Sequence, residues 1–316
     1  MENYIPVHST PIQYTGHPSQ VDVAVLILFF NRPEPLSAVF EQVRKARPSK
    51  LFLYQDGARG EKDMPGILAC RKVVDEIDWE CKVYQWYQEK NFGCDPSEYL
   101  SQKWAFSIVE KCIVLEDDDV PSVNFFAFCK ELLDRYENDS RICMISGINY
   151  DEITPDMPYD YFFSTAFSIW GWASWRRVID QWDEHYSFLD DTFNLQQLEE
   201  YIKERKYQKE FIEFCRHHRE SGKAYYESIF HAAMFFNSGL SIVPTKNMIN
   251  NLGATAGSTH FGGSNNLLPK GYRRIFTMKR YEQDFPLKHP RYIIENVGYK
   301  NRMFRIMAWG HPWIKI

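Results

Sequence analysis

The chain has 316 residues, of which 44% are hydrophobic and 25% are charged, a balance that excludes a disordered, collagen-like or coiled-coil protein. The formal net charge is −5, from 37 basic and 42 acidic residues, whereas proteins that bind the phosphate backbone usually carry a basic surplus. We therefore expect no nucleic-acid partner. The longest apolar run, Val23–Phe30, is far shorter than the roughly 18–20 residues that span a bilayer, so we expect no transmembrane segment.

The first twenty residues carry neither a basic start nor an apolar stretch, so we expect no signal peptide. The seven cysteines are scattered and contain no Cys-x-x-Cys pair. This usage is typical of small buried hydrophobic side chains in a reducing compartment. The sequence therefore predicts a cytoplasmic protein.

The first half of the chain alternates apolar runs with amphipathic segments, a pattern that predicts a parallel sheet covered by helices. The predicted strands are 21–30, 50–56, 81–87, 111–117 and 142–147. The predicted helices run from Pro33 to about Arg47, near 63–78, from the segment NFGCDPSEYL onward, and over 124–139. After about Tyr150 the pattern becomes irregular and aromatic, then helical over 195–220 and from about Tyr226, with a late strand at 239–244.

Polar side chains follow several of these strands directly. Asn31 and Arg32 follow the first, Asp56 follows the second, and Asn91 follows the third. Four acids, 116–119, follow the fourth. Ligands of parallel sheets bind at the carboxyl ends of the strands, so these positions predict a site.

The segment LEDDDVPS (115–122) places four consecutive carboxylates at the end of a buried strand. Such charges repel one another, and a hard divalent cation such as Mg²⁺ or Mn²⁺ compensates them with oxygen ligands. Side chains alternate in extended backbone, so Glu116 and Asp118 face one way while Asp117 and Asp119 face the other. The alternative is a solvated acidic turn before the next helix.

The segment FSIWGWASWRR (167–177) combines three tryptophans, one glycine and two arginines. Gly171 lets backbone approach a ligand closely, and Arg176 or Arg177 could meet a phosphate. We expect the loop as a unit to form a substrate wall. The alternative for the individual tryptophans, Trp172 included, is an aromatic core plug.

Two further positions carry candidate chemistry. Glu227 lies at the start of a predicted helix. It acts there as a general base, or it only interacts favourably with the helix dipole. His260 lies in a loop rich in Gly, Ser and Thr. Two interpretations stay open: His260 is a metal ligand, or it is an ordinary surface histidine. The sequence has no phosphate-binding loop of the GxxxxGK[ST] type, no GxGxxG and no Gly-x-Ser-x-Gly elbow.

In chain order these motifs resemble the GT-A fold of nucleotide-sugar-dependent glycosyltransferases. The likeness is to the bacterial family-2-like group, often labelled hemolytic-protein-like, and more distantly to N-acetylglucosaminyltransferase I. It covers roughly residues 21 to 262. The matching stretches are VLILFFNRP, LFLYQDGAR, NFGC, IVLEDDDVPS, SGINY, FSIWGWASWRR, GLSIVP and GSTHF.

The resemblance implies an α/β protein with a Rossmann-like, mainly parallel central sheet. It divides the chain into an N-terminal segment (1–20), a GT-A domain (21–263) and a C-terminal extension packed on the core (264–316). Within the domain, 21–150 would bind the nucleotide and the aromatic half 151–263 would face the acceptor.

The resemblance also assigns roles. Glu227 is the catalytic base, and a Mn²⁺ or Mg²⁺ ion is bound by Asp118, Glu116 and His260. The residues that would bind the nucleotide sugar are Phe30, Arg32, Asp56, Asn91, Asp117, Gly171, Trp172 and Arg176.

The implied activity is transfer of a hexosyl or N-acetylhexosaminyl group, with inversion, from a nucleoside diphosphate sugar to a hydroxyl group. A UDP-sugar is the favoured donor, and the acceptor is a glycan or a lipid-linked glycan in surface polysaccharide synthesis. Contact with the inner face of the membrane stays open. Two alternatives also stay open: a sugar-phosphate nucleotidyltransferase, and a catalytically inactive carbohydrate-binding relative.

Overall fold

A nine-stranded sheet forms the centre of the protein in the computed structural model, which describes residues 5–6, 10–253 and 274–308. Its order is β1-β4-β3-β2-β5-β9-β7-β10-β8, and β6 and β11 form a separate two-stranded sheet. The strands are β1 (Ile12–Tyr14), β2 (Val21–Phe29), β3 (Pro48–Gln55), β4 (Cys81–Tyr87), β5 (Lys111–Glu116), β6 (Asp119–Pro121), β7 (Ile142–Ser146), β8 (Tyr161–Ser164), β9 (Trp172–Trp175), β10 (Leu240–Pro244) and β11 (Ile249–Asn251).

Helices flank this sheet. They are α1 (Pro33–Ala46), α2 (Met64–Val74), α3 (Cys94–Ile108), α4 (Phe125–Arg135), α5 (Arg176–Ile179), α6 (Thr192–Tyr201), α7 (Arg205–Ser221), α8 (Tyr226–Phe236) and α9 (Val297–Ala308). In the described ranges, none of the helices combines the length and apolarity that a bilayer crossing requires.

The half of the sheet built from β2, β3, β4 and β5 is parallel, as the sequence predicts. Their apolar runs are buried because helices cover both faces of a parallel sheet; from Val23 to Phe29 every residue of β2 is buried. The carboxyl ends of these four strands therefore lie at one edge, where the polar residues of the sequence motifs follow them.

The other half of the sheet is mixed, and the whole sheet with its flanking helices confirms the predicted α/β class. β9 is antiparallel to both β5 and β7, and β8 is antiparallel to β10. The sequence pattern did not predict β8 or β9, because they are four-residue strands in an aromatic stretch without alternation.

The described part of the C-terminal extension packs on this second half. The carboxylate of Glu295 accepts hydrogen bonds from the backbone N–H and the hydroxyl of Thr165, at 2.8 and 2.5 Å. The ring of Tyr299 packs edge-on against Phe162, with centroids 4.8 Å apart. Side chains 274–304 therefore complete the core beyond β8 instead of forming a free tail.

Candidate active site

Three separate segments bring carboxylates together at the edge where the parallel strands end. The end of β5, the start of β6 and the turn between them supply four, the N-terminal part of α3 supplies two, and the first turn of α8 supplies one. Each lies close enough to act electrostatically on others of the set. This acid cluster consists of Asp95, Glu98, Glu116, Asp117, Asp118, Asp119 and Glu227.

Arg32 is the cation that faces the β5–β6 turn. It lies in the short turn between β2 and α1, and Pro33 starts α1 immediately after it, so the guanidinium is held beside the end of β5. The guanidinium donates to Asp118 Oδ2 at 2.8 Å and forms a close ion pair with Asp117. Burial raises the pKa of Asp117 to about 6, although Arg32 acts in the opposite direction.

Asp119 is fully buried and has internal partners on several sides. Its Oδ1 accepts a hydrogen bond from Asn251 Nδ2 at 3.0 Å, and its Oδ2 accepts one from the backbone N–H of Glu116. The backbone N–H of Gly171 also donates to this carboxylate. Gly171 has φ +65°, and a side chain there would collide with Ile249. Asp119 therefore joins β6, β11 and the loop before β9.

We expect an Asp119→Ala variant to lose about 1–3 kcal/mol of unfolding free energy, because the three donors would be left buried without their acceptor. Urea denaturation measures the change. Asp284→Ala is the matched control, since the Asp284 side chain is 98% exposed. An Asp119→Ala variant as stable as Asp284→Ala would show that these hydrogen bonds do not stabilise the fold.

Glu227 has a pKa suited to proton transfer near neutral pH. It lies in the first turn of α8, and burial, with the charge of Asp95 adding to it, raises its pKa to about 7. Burial also raises the pKa of Glu98 and of Glu116 well above the usual range. The structure therefore brings Glu227 close to Glu116 and Glu98, and its role as a base stays a prediction.

Asp95 and Glu98 are the members of the cluster that sequence reasoning did not assign to the site. The pattern predicts only that a helix begins in this segment, and it singles out neither residue as part of the site. A usable signal was present: residues spaced i, i+3 share a helix face, and this helix begins where a parallel strand ends.

Asp56 and Asn91 position α3. The carboxylate of Asp56 accepts hydrogen bonds from Asn91 Nδ2 at 2.8 Å and from the backbone N–H groups of Gly57, Phe92 and Gly93 at 2.9, 2.9 and 3.0 Å. These bonds link the end of β3 to the turn that precedes α3. Asp56 and Asn91 therefore have a structural role, which is to hold Asp95 and Glu98 at the site. A contact of Asp56 or Asn91 with a nucleoside stays a prediction.

Phe30 lies at the carboxyl end of β2 and is half-buried. The guanidinium of Arg59 stacks 4.9 Å from its ring centroid. The backbone carbonyl of Phe30 accepts a hydrogen bond from Gln55 Nε2 at 2.8 Å. Phe30 thus has a fixed ring beside Arg32, and its contact with a nucleotide stays a prediction.

The structure corrects the prediction for Arg176. Trp175 pairs with Lys111, the first residue of β5, whereas the acids follow the last residue of that strand. Arg176 therefore lies at the opposite edge of the sheet, where it donates to the carbonyl of Phe106 at 2.5 Å and pairs with Glu110 at 2.6 Å. Arg177 is equally remote, because it donates to backbone carbonyls next to β7.

The structure also corrects the prediction that Trp172 binds the nucleotide sugar, because this side chain lies in the aromatic core. It is fully buried, and its ring packs against Phe230 and Phe106, with centroids 5.2 and 6.4 Å apart. Gly171, next to it, does reach the site edge, through its hydrogen bond to Asp119. The alternative interpretation, a core plug, is the correct one for this tryptophan.

Of the three predicted metal ligands, the structure describes Glu116 and Asp118. His260 lies outside the described residues. Asp118 is engaged by Arg32 and by Asn251, whose Nδ2 is 3.4 Å from Asp118 Oδ1. Where the structure describes the chain, the group of three potential ligands that meets within 4.8 Å is Asp95, Glu98 and Glu227. The donors at this edge are carboxylate oxygens, the type that Mg²⁺, Mn²⁺ and Ca²⁺ prefer.

No protein-family model matches the chain, and no curated protein matches it. Among solved structures, it is similar to 4-diphosphocytidyl-2C-methyl-D-erythritol synthase from Anaerococcus prevotii, with 10% sequence identity and a TM-score of 0.31. The alignment covers 61% of this chain and 83% of that one. Two proteins that differ this much in sequence and backbone need not share an activity.

Proposed function

We propose that the protein is a glycosyltransferase that moves a sugar from a nucleoside diphosphate sugar to a hydroxyl group with the help of a divalent cation. The observation that supports this proposal is the convergence of the acids after β5 with Glu227 from α8, beside the cation Arg32. A UDP-sugar is the favoured donor. The proposed acceptor is a glycan or lipid-linked glycan, and an acceptor held in a membrane would place the protein at its inner face.

The donor diphosphate needs positive charge. A Mn²⁺ or Mg²⁺ ion, bound by Asp118 with Glu116 and His260, would offset the charge that develops on the departing diphosphate. Arg32 adds a guanidinium at the same place, since it already contacts Asp117 and Asp118. Phe30, Asp56 and Asn91 would contact the nucleoside, and Gly171 would lie under the sugar.

Glu227 would act as the general base. Its pKa of about 7 means that a large fraction is ionised near neutral pH, and its side chain is only partly buried, so an acceptor hydroxyl can reach it. The hydroxyl proton passes to Glu227 as the hydroxyl oxygen bonds to the anomeric carbon. The bond from that carbon to the diphosphate oxygen breaks on the opposite face, so the configuration inverts.

We expect Asp118→Ala to lose metal-dependent donor binding, because the cation and the diphosphate share this carboxylate. Calorimetric titration of UDP-sugars with and without Mn²⁺ measures the effect. Asp119→Ala should affect donor affinity less, because the Asp119 carboxylate is hydrogen-bonded to Asn251 in the parent. The reverse order of the two variants would instead favour Asp117 with Asp119 as the ligand pair.

A sugar-phosphate nucleotidyltransferase is the second candidate, because Arg32 supplies a basic side chain directly after β2, where such enzymes carry a basic loop. The segment FFNRPEPL lacks the glycines of that loop. Product analysis separates the candidates: a glycosyltransferase releases a nucleoside diphosphate, whereas a nucleotidyltransferase releases pyrophosphate from a nucleoside triphosphate and a sugar phosphate. Donor binding without either product would indicate an inactive carbohydrate-binding relative.

A further inference from the structure

We propose that Asp95, Glu98 and Glu227 form a separate binding site for one hard divalent cation, where the first turns of α3 and α8 meet. We call these three residues the α3–α8 triad. Nothing in the sequence motifs assigns a cation to this position, and the site is distinct from the one predicted at Glu116 and Asp118.

The geometry of the triad suits a single ion. One carboxylate oxygen from each residue lies within 4.8 Å of the other two. Oxygen ligands bind Ca²⁺ at about 2.3–2.6 Å, so two of them on one ion are at most roughly 5.2 Å apart. Three oxygens at this largest separation lie about 2.8 Å from their common centre, so a Ca²⁺-sized ion reaches all three once the side chains shift by a few tenths of an ångström. Mg²⁺, at about 2.0–2.1 Å, requires the oxygens to approach slightly.

Two buried polar atoms at the triad have no hydrogen-bond partner among the described residues. Glu98 is 7% exposed; its Oε1 accepts a hydrogen bond from Cys94 Sγ, while Oε2 has no partner. Tyr226, which precedes Glu227, is 1% exposed, and its hydroxyl also lacks a partner. The charges that act most on this hydroxyl are those of Glu116, Glu98 and Glu227, so it faces the same acids.

Such atoms are costly to bury unless something pairs with them. Water could satisfy the hydroxyl, but it would not offset the negative charge that the carboxylates of Glu98 and Glu227 bring together. Arg32 does not serve them, because its guanidinium is engaged by Asp117 and Asp118. A divalent cation at the triad offsets the negative charge and supplies the missing partner of Glu98 Oε2.

This site does not depend on the proposed sugar transfer, although the two share Glu227. A carboxylate has two oxygens, so Glu227 can contact the cation with one and an acceptor hydroxyl with the other. The cation would also favour the ionised form of Glu227. Cation binding can therefore be tested without donor or acceptor.

The test is calorimetric titration of the full chain with Mn²⁺ and Ca²⁺ alone. We expect saturable binding, and we expect Glu98→Gln and Asp95→Asn each to weaken it by about tenfold or more, since each removes a charged ligand. Glu98→Gln keeps the size of the side chain. Asp284→Asn is the control, since the Asp284 side chain is 98% exposed, and it should retain the affinity of the parent.

Thermal melting without added cation checks that the variants fold. Glu98→Gln should melt no lower than the parent there, because it replaces a buried carboxyl group with a neutral amide, and its melting temperature should rise less on addition of Mn²⁺. Absence of saturable binding, equal affinity in Glu98→Gln and parent, or an equal loss of affinity in Asp284→Asn would each overturn the proposal. Failure of the sugar transfer, by contrast, would appear only in the product analysis and would leave these titrations unchanged.

Discussion

A Glu227→Gln variant is expected to lose turnover by roughly 10²–10⁴-fold while it binds the nucleoside diphosphate sugar as tightly as the parent. A general base acts in the transition state, so its loss changes the rate far more than donor affinity. In the parent, turnover should fall as the pH is lowered from 8 to 5, because Glu227 must be ionised to accept a proton. The pKa of Glu227 is about 7 without a cation, and a cation bound at the α3–α8 triad would move the fall in turnover to a lower pH. Steady-state rates across this pH range and calorimetric donor binding measure both effects.

Asp183→Asn is the control for this variant. The carboxylate of Asp183 accepts hydrogen bonds from the backbone N–H groups of His185 and Ser187, at 3.0 and 2.7 Å, which is a local turn outside the acid cluster. It should keep parental turnover. Retained anomeric configuration in the product, seen by NMR, or a Glu227→Gln enzyme of near-parental activity would remove Glu227 as the base.

An Arg32→Met variant should lose about 3 kcal/mol of unfolding free energy at pH 8, the lower end of the range for a broken buried ion pair, because Arg32 is 23% exposed. The change leaves the buried carboxylates of Asp117 and Asp118 without their cation. The loss should shrink below pH 6, since the pKa of Asp117 is about 6 even beside Arg32 and rises further without it. Urea denaturation at pH 5 and pH 8 measures both values.

The double variant Arg32→Met with Asp117→Asn tests the cause. If repulsion among unpaired carboxylates produces the loss, neutralising Asp117 should restore part of the stability, and the two substitutions should not be additive. Additive losses, or an Arg32→Met effect that does not change with pH, would mean that Arg32 stabilises the protein by packing alone.

The regular part of the fold could be predicted from the sequence because its signals are local. The apolar run of β2, the proline that opens α1 and the acids after β5 each identify an element within about ten residues. The observed bounds differ from the predicted ones by a few residues at most strands. Two helices end earlier than the sequence predicts: the one predicted near 63–78 ends at Val74, and the one predicted over 124–139 ends at Arg135.

The remainder depends on contacts between distant segments. Nothing near Arg176 in the sequence shows that β9 is antiparallel to β5, and this direction alone moves Arg176 to the edge opposite the acids. The pairing of Asp119 with Asn251 spans 132 residues. Glu98 joins the cluster because α3 lies against α8, which no local pattern encodes.

The position of β9 bears on the cooperativity of unfolding. Among the described strands, β9 is the one that connects the ladder of β1 to β5 with the ladder of β7, β8 and β10, and it has four residues. Its register leaves two residue pairs with β7, Ile145 with Ala173 and Ser146 with Trp172. Partial unfolding begins in regions with few hydrogen bonds. Separation of β7 from β9 therefore requires less free energy than unfolding of either ladder. In such an opening β6 stays paired with β11, so Asp119 keeps Asn251 as its partner, while the loop that holds Gly171 against Asp119 is released.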